Sequence, residues 1–184
     1  IDVACSSALV ACHDASRALQ MRSCSHGLLS GINMMFLPST LDVYASAGLT
    51  SSIGKSSVFD KRADGFVRGE GCGAAVLQKL GADAYTRIAG TAVRQDGRSA
   101  SLTAPNGRAQ QMLINAVVVD ASALVKDVHQ AETAANGSVL GDPIEIGAVA
   151  TAMLTKRTSS ETLSIGSVKA NIGHTESASG IMVS

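Results

Sequence analysis

Short apolar runs alternate along this chain with longer segments whose apolar residues recur at helical spacing, and this alternation constrains the fold more than any other feature. Helices are predicted at 6–21, 41–47, 106–121, 143–156 and from about 175 onward. Strands are predicted at 27–36, 73–79, 86–94, 125–131 and 162–168, with 73–79 and 86–94 as consecutive strands able to pair. Such alternation is typical of a layered α/β protein with a largely buried sheet.

Composition narrows the class of function. Of the 184 residues, 46% are hydrophobic and 16% are charged, which favours a sizeable core over disorder. The formal net charge of +0 argues against a protein that binds nucleic acid through phosphates or a membrane surface through basic residues. No apolar run approaches the roughly 18–20 residues of a membrane span. We therefore expect neither nucleic acid nor membrane as a partner.

Both ends of the sequence look like cut ends. The chain begins with Ile1 and has no basic-then-apolar leader, and it finishes on the apolar stretch 180–184. We therefore expect these residues to be a fragment of a longer polypeptide. The expected location is the cytoplasm, with any targeting signal outside the fragment.

The cysteine pattern indicates reduced thiols and no metal site. The chain contains Cys5, Cys12, Cys24 and Cys72, and no two of them form a C-x-x-C pair. In a neutral chain with few cysteines this is typical of intracellular thiols instead of a disulfide framework. The spacing of the cysteines and histidines matches no usual zinc pattern.

The sharpest local feature is Cys5, which follows a short apolar approach and precedes a predicted helix. A thiol at a helix N-terminus lies near the positive end of the helix dipole and near unpaired N–H groups, which favours the thiolate. The same N–H groups can stabilise an oxyanion on a bound thioester. An inert buried cysteine is the alternative, and this motif alone does not decide between the two.

Two further segments combine glycine with polar side chains. In 165–174 a predicted strand enters a turn with glycines on both sides and finishes at His174, where the backbone can pass close to a ligand. A structural histidine is the alternative interpretation. In 137–145 a glycine-rich loop leads into a helix.

Four long motifs resemble one family, in the same order along the chain. They read DVACSSALVA at 2–11, FDKRADGFVRGEG at 59–71, GTAVRQDGRSASLTAPNG at 90–107 and GSVKANIGHTESASG at 166–180. The chain resembles the ketosynthase domain of type I polyketide synthases, which are β-ketoacyl synthases of the thiolase superfamily. The resemblance implies a thiolase-like layered α-β-α-β-α fold, present only in part. Residues 1–100 would be the remainder of the N-terminal half with its nucleophile, and 101–184 a truncated C-terminal half.

The resemblance also implies a reaction, a decarboxylative Claisen condensation of an acyl chain with malonyl-carrier protein. Cys5 matches the nucleophile, His174 the second catalytic histidine and Lys169 the lysine that organises the site, while Glu176 and Asn171 match supporting positions. The implied domain binds no cofactor itself, because its substrates arrive on the phosphopantetheine of an acyl carrier protein. The implied partners are that carrier protein, a second copy of the domain and neighbouring polyketide synthase domains.

One position departs from the family pattern. The family's other catalytic histidine lies in E-A-H-G-T-G-T-x-L-G-D-P-I-E, and here 132–145 reads ETAANGSVLGDPIE, which places Ala134 at the histidine position. A methyl group can neither donate a hydrogen bond nor transfer a proton. His129 cannot replace it from five residues upstream, roughly 16 Å along a predicted strand. His13 and His26 match no catalytic position.

Three functions follow from these residues. The chain could belong to an active condensing enzyme, to a non-elongating ketosynthase that transfers acyl chains, or to a catalytically dead scaffold for dimerisation and carrier docking. Losing one preorganised hydrogen-bond donor costs roughly 3–4 kcal/mol of transition-state stabilisation, which would impair condensation more than loading of Cys5. The intact motifs around Cys5 and His174 count against the scaffold. The residues thus favour transfer without elongation.

Overall fold

The computed structural model describes residues 1–79, 84–101, 104–158 and 160–183, so that Leu102 and Thr103 of the third motif lie outside the described residues. The helices within these ranges are α1 Ser7–Gln20, α2 Pro38–Ser46, α3 Gly107–Asp120, α4 Gly141–Val149, α5 Lys169–Ile172 and α6 Ser179–Met182. The strands are β1 His26–Asn33, β2 Gly71–Gln78, β3 Gln130–Glu132 and β4 Ser164–Gly166. The predicted alternation of helices and strands is confirmed.

One layered unit is built on an antiparallel pair of strands. β1 pairs with β2 in a register that runs from His26 opposite Gln78 to Asn33 opposite Gly71. Helices α1 and α6 pack on this pair, and a Cβ on Gly180 would lie 2.6 Å from Cγ of Leu9. Small residues therefore let the two helices approach closely, which brings the start of α1 next to the chain around 174–180.

The opposite face of this sheet is apolar and exposed. Leu28 and Ile32 on β1 and Val76 on β2 are 76%, 56% and 67% exposed. A contiguous apolar face of this kind is typical of a surface that another element covers.

The strand predicted at 86–94 is wrong, and β2 pairs with β1 instead. Residues 84–101 form neither helix nor strand. Helix side chains hold this segment: Arg17 donates to the Thr91 carbonyl at 2.9 Å, and the Thr91 N–H donates to Asp120 at 2.8 Å. His13 Nδ1 also lies 2.9 Å from the Thr91 hydroxyl. These contacts satisfy backbone groups that a sheet would otherwise pair.

The second unit packs helices on a short parallel pair, β3 with β4, in which Ala131 lies opposite Ile165. Asn106 caps α3, because its side-chain oxygen accepts from the N–H groups of Arg108 and Ala109. The core contains Val149, Ala152 and Met153 with surrounding side chains of α3, β3 and β4.

Several predicted elements have different bounds in the structure. The helix predicted at 143–156 comprises α4 followed by a π-helical turn, Ala150–Leu154. The strand predicted at 125–131 begins as a 3₁₀ turn, Val125–Asp127, and becomes a strand only at Gln130. The final helix is a 3₁₀ turn, Glu176–Ala178, followed by α6.

In the part of the chain that the structure describes, no helix has both the length and the apolar character needed to cross a bilayer.

Candidate active site

Cys5 lies in a tight turn at the start of α1. The turn is a 3₁₀ segment, Ala4–Ser6, and Ala4 adopts a left-handed conformation with φ 54°. The Ser7 hydroxyl donates to the Ala4 carbonyl at 2.7 Å and accepts from the Val3 N–H at 3.0 Å, which ties the two sides of the turn together. Cys5 is exposed. A strained backbone held by side-chain bonds that presents a thiol to solvent is typical of a functional position.

Lys169 is a buried positive charge bonded to the backbone of Ala134. It lies at the start of α5 and is 6% exposed, and its ammonium group donates to the Ala134 carbonyl at 2.7 Å. Burial lowers the pKa of Lys169, while electrostatic interactions with Cys5 and then with Glu145 oppose this. Lys169 is thus close enough to Cys5 to interact with it electrostatically.

The backbone of His174 is fixed between two neighbouring segments. Its N–H donates to the Val67 carbonyl at 2.7 Å, and its own carbonyl accepts from the Gly69 N–H at 2.9 Å. Gly173 enters this bridge with φ 77°, and a Cβ there would lie 3.0 Å from the Val67 carbonyl oxygen. The turn that follows, Glu176–Ala178, packs against the turn that carries Cys5. The fold therefore brings His174 and Cys5 into one region.

The hydrogen bonds of the imidazole determine its tautomer. The Glu176 N–H donates to Nδ1 of His174 at 3.1 Å, and the Ser179 hydroxyl lies 2.9 Å from the same nitrogen. Because a backbone N–H can only donate, Nδ1 carries a lone pair and the proton of the neutral ring is on Nε2. Burial, and then the charge of Lys169, lowers the pKa of His174 to about 4. At neutral pH the residue is a neutral donor through Nε2.

Ala134 occupies a backbone position that is held on both sides. Its N–H donates to the Glu145 carboxylate at 2.7 Å, and its carbonyl accepts from Lys169 at 2.7 Å. Burial raises the pKa of Glu145, and the N–H bond from Ala134 opposes that rise. Ala134 itself is exposed, so a larger side chain at this position would have room.

The loop that follows Ala134 is organised by one carboxylate. Asp142 Oδ1 accepts from the N–H groups of Asn136 and Ser138 at 3.2 and 3.1 Å, and Oδ2 accepts from Gly137 and Phe59 at 3.0 and 3.2 Å. Gly137 has φ 91°, and a Cβ there would lie 2.7 Å from the Gly65 carbonyl oxygen. The loop is therefore fixed even though its sequence departs from the family pattern.

The other candidate residues lie outside this arrangement. His13 bonds to Thr91, His26 lies beside Ser25 at the start of β1, and His129 is exposed just before β3. Asn171, in α5, lines an open cavity of about 500 Å³ whose wall also includes Phe59, Glu132 and Ser167. The structure therefore brings together Cys5, Lys169, His174, Glu176 and Ala134, and places Asn171 on a separate wall.

Two residues that hold this site were not expected from the sequence: Arg68, inside the motif at 59–71, and Glu145, at the end of the segment 132–145. Arg68 forms an ion pair with Glu176, and Glu145 holds the Ala134 peptide. Sequence spacing contains no signal for either contact. In the described ranges, histidines, cysteines and carboxylates do not gather in threes as a metal site would need.

Comparison with known proteins assigns the family. The family models "Beta-ketoacyl synthase, N-terminal domain" and "Beta-ketoacyl synthase, C-terminal domain" match residues 1–82 and 85–184. A phenolphthiocerol/phthiocerol polyketide synthase of Mycobacterium tuberculosis is 41% identical over 98% of this chain, which spans 10% of that protein. Erythronolide synthase EryA3 of Saccharopolyspora erythraea is 40% identical over 98% of this chain, which spans 6% of it.

Solved ketosynthases share the fold. The ketosynthase from module 6 of the bacillaene synthase of Bacillus subtilis 168 superimposes with a TM-score of 0.92 at 36% identity, over 98% of this chain and 33% of that one. The oxazolomycin ketosynthase domain OzmH KS7 of Streptomyces albus JA3453 gives 0.91 at 34% identity with the same coverage. The fold is thiolase-like and present in part, at about a third of these chains. The chain belongs to the β-ketoacyl synthase family, as part of a polyketide synthase ketosynthase domain.

Proposed function

We propose that this chain is the nucleophile-bearing part of a ketosynthase that accepts an acyl chain from a carrier protein on Cys5 and passes it on, with little or no condensation. The observation that carries the proposal is Ala134. Its peptide is held by Glu145 and Lys169, so the position is well formed, yet it carries a methyl group where the family has an imidazole.

Loading of Cys5 is a thioester exchange. The Cys5 sulfur attacks the carbonyl carbon of the incoming thioester, a new C–S bond forms, and the C–S bond to the phosphopantetheine sulfur breaks. The departing thiolate takes up the proton that Cys5 released, so the exchange is nearly isoenergetic. The exposure of Cys5 in its strained turn supports access by such a thioester.

His174 supports loading through its fixed tautomer. The neutral ring presents Nε2–H, a donor suited to a carbonyl oxygen that gains negative charge during attack. Lys169 adds a buried positive charge that interacts with Cys5. These two groups serve the acyl-transfer step and do not depend on the side chain at 134.

Condensation requires hydrogen-bond donors beyond those that serve loading. Decarboxylation of a malonyl thioester releases CO₂ and leaves an enolate, whose oxygen needs hydrogen-bond donors while its carbon attacks the acyl-Cys5 thioester. With Ala134 one of the family's two imidazole donors is missing, which lowers the condensation rate by about 10²–10³. The other histidines of the chain are bound or exposed elsewhere.

The test is intact-protein mass spectrometry of the complete polypeptide that carries this chain. It is given an acyl thioester, and then malonyl-carrier protein. We expect the acyl mass to stay on Cys5 after malonyl addition, and Ala134→His to raise condensation by about 10²–10³. Rapid loss of the acyl mass into a β-ketoacyl product from the natural sequence would contradict the proposal. Failure of Cys5 to load would favour the scaffold instead.

The partners follow from the same proposal. An acyl carrier protein would deliver the acyl group on its phosphopantetheine, and the domain itself would hold no cofactor. A second copy of the domain and neighbouring polyketide synthase domains would complete a cytoplasmic assembly.

A further inference from the structure

We propose that Arg68 is a positioning residue for His174. Arg68 holds the Glu176 carboxylate, and this keeps the hydrogen bond from the Glu176 N–H to Nδ1 of the imidazole in place. The inference rests on the proposed role of His174 in loading Cys5. It concerns a residue that contacts neither the thiol nor the imidazole with its guanidinium.

The ion pair is short and mostly buried. Arg68 Nε lies 2.5 Å from Glu176 Oε1, with the two side chains 8% and 21% exposed. The Arg68 guanidinium also lies 5.2 Å from the centre of the Tyr44 ring, and the Tyr44 hydroxyl donates to Glu176 Oε2 at 3.4 Å. Both carboxylate oxygens are therefore held. A buried ion pair adds little net stability compared with an apolar replacement, so stability alone does not account for it.

The backbone of Glu176 explains what the pair does. Glu176 has φ 44°, a left-handed conformation that an L side chain rarely adopts. In this conformation its N–H points back to Nδ1 of His174 at 3.1 Å. If the side chain were released, the backbone could relax and the N–H would leave the ring. Nδ1 would then be free to carry the proton, and Nε2 would lose it.

A second set of contacts links Arg68 to the same histidine. Arg68 and His174 face each other in an isolated parallel β-bridge, and the Phe66 ring meets the imidazole edge-on with 5.0 Å between centroids. The bridge holds the His174 backbone, and the Arg68 side chain reaches over to hold Glu176 two residues later. Arg68 thus positions the His174 ring in two ways, through the backbone bridge and through the Glu176 N–H.

The experiment compares Glu176→Ala with Glu176→Gly in the complete polypeptide. Both variants remove the ion pair, but glycine adopts φ 44° without strain, whereas alanine does not. The readout is the ¹⁵N chemical shift of the two ring nitrogens of His174 in histidine-labelled protein, assigned by loss of the signals in His174→Gln. We expect Glu176→Ala to give mixed tautomers and roughly 10-fold slower loading of Cys5. Glu176→Gly should keep more of the Nε2–H form.

Variants of Arg68 complete the test. Arg68→Gln should mix the tautomers as Glu176→Ala does, and Arg68→Lys should restore the Nε2–H form in part. The control is Arg17→Gln, which breaks the exposed 2.8 Å pair with Asp120 and should leave the His174 signals unchanged. Unchanged signals in both Arg68→Gln and Glu176→Ala would overturn the inference, as would equal shifts in Arg17→Gln.

The two proposals can fail separately. Mixed tautomers with unchanged loading would support the positioning role of Arg68 and contradict the role of His174 in the proposed function. If Arg68→Gln does not fold, the pair Glu176→Ala and Glu176→Gly still decides: equal tautomer populations in the two would overturn the inference.

Discussion

The turn around His174 and the loop around Ala134 are built alike but carry different chemistry. Each backbone is held at its N–H and its carbonyl: His174 by Val67 and Gly69, Ala134 by Glu145 and Lys169. At the first the side chain is an imidazole with a fixed tautomer, and at the second it is a methyl group. The difference shows that the framework of a site and its reactive group are separate properties of the sequence.

The largest effect is expected where the loop framework is broken. Asp142→Ala removes the acceptor of four backbone N–H groups and should lower the free energy of unfolding by roughly 3–5 kcal/mol. Asp142→Asn keeps one oxygen and therefore the bonds to Asn136 and Ser138, so its loss should be about half. Denaturant unfolding of the complete domain measures both. Equal stability of the two variants would show that the bonds kept in Asp142→Asn, those through Oδ1, contribute nothing.

A smaller effect on the free energy of unfolding is expected when pH changes the protonation of His174. The pKa of His174 is lowered from 6.5 to about 4 in the folded state, so the unfolded chain binds the proton first as pH falls. The contribution is fully present above pH 6.5 and is lost as pH falls toward 4. The loss should reach about 2–3 kcal/mol, measured as the shift of the unfolding midpoint with pH. His174→Gln should remove this part of the pH dependence, and an identical profile in that variant would contradict the assignment.

The smallest effect is expected from alanine substitutions of glycines, which compare the Ala134 loop with the His174 turn directly. Gly137→Ala and Gly173→Ala each place a Cβ at positive φ, 2.7 and 3.0 Å from a carbonyl oxygen, and each should cost about 1–3 kcal/mol. Only Gly173→Ala should also slow loading of Cys5, because it shifts His174. Gly48→Ala, at φ 67° with open space around its Cβ, measures the cost of the conformation alone. Equal loading rates in Gly137→Ala and Gly173→Ala would remove the distinction between the regions.

Local patterns predicted the parts of this fold that local forces determine. Helices α1 and α3 follow from the helical spacing of apolar residues, and β1 and β2 from apolar runs, with bounds close to those in the structure. The strand predicted at 86–94 is wrong because Arg17, His13 and Asp120, on two helices, satisfy the backbone of that segment. No pattern within a short window contains such contacts.

The site likewise has features that local sequence patterns predict and features that only the fold creates. The absence of an imidazole at position 134 follows from motif register alone. The structure adds that the N–H and the carbonyl of Ala134 are both hydrogen-bonded. The Arg68–Glu176 pair joins residues 108 positions apart, and only the fold brings them together. The left-handed backbone of Ala4 and Glu176 also left no signal, because neither is the glycine that such a conformation favours.

The two bonds at Ala134 hold the two peptide planes on either side of its Cα, and with them the direction in which the Cα–Cβ bond leaves the backbone. Any residue placed at 134 begins along that same line. A thiol, a carboxylate or an imidazole would each be presented from one origin beside an unchanged loop. Side chains can thus be exchanged at position 134 without changing the surrounding backbone. Differences in activity among such variants would reflect the chemistry of the side chain and not a change of fold.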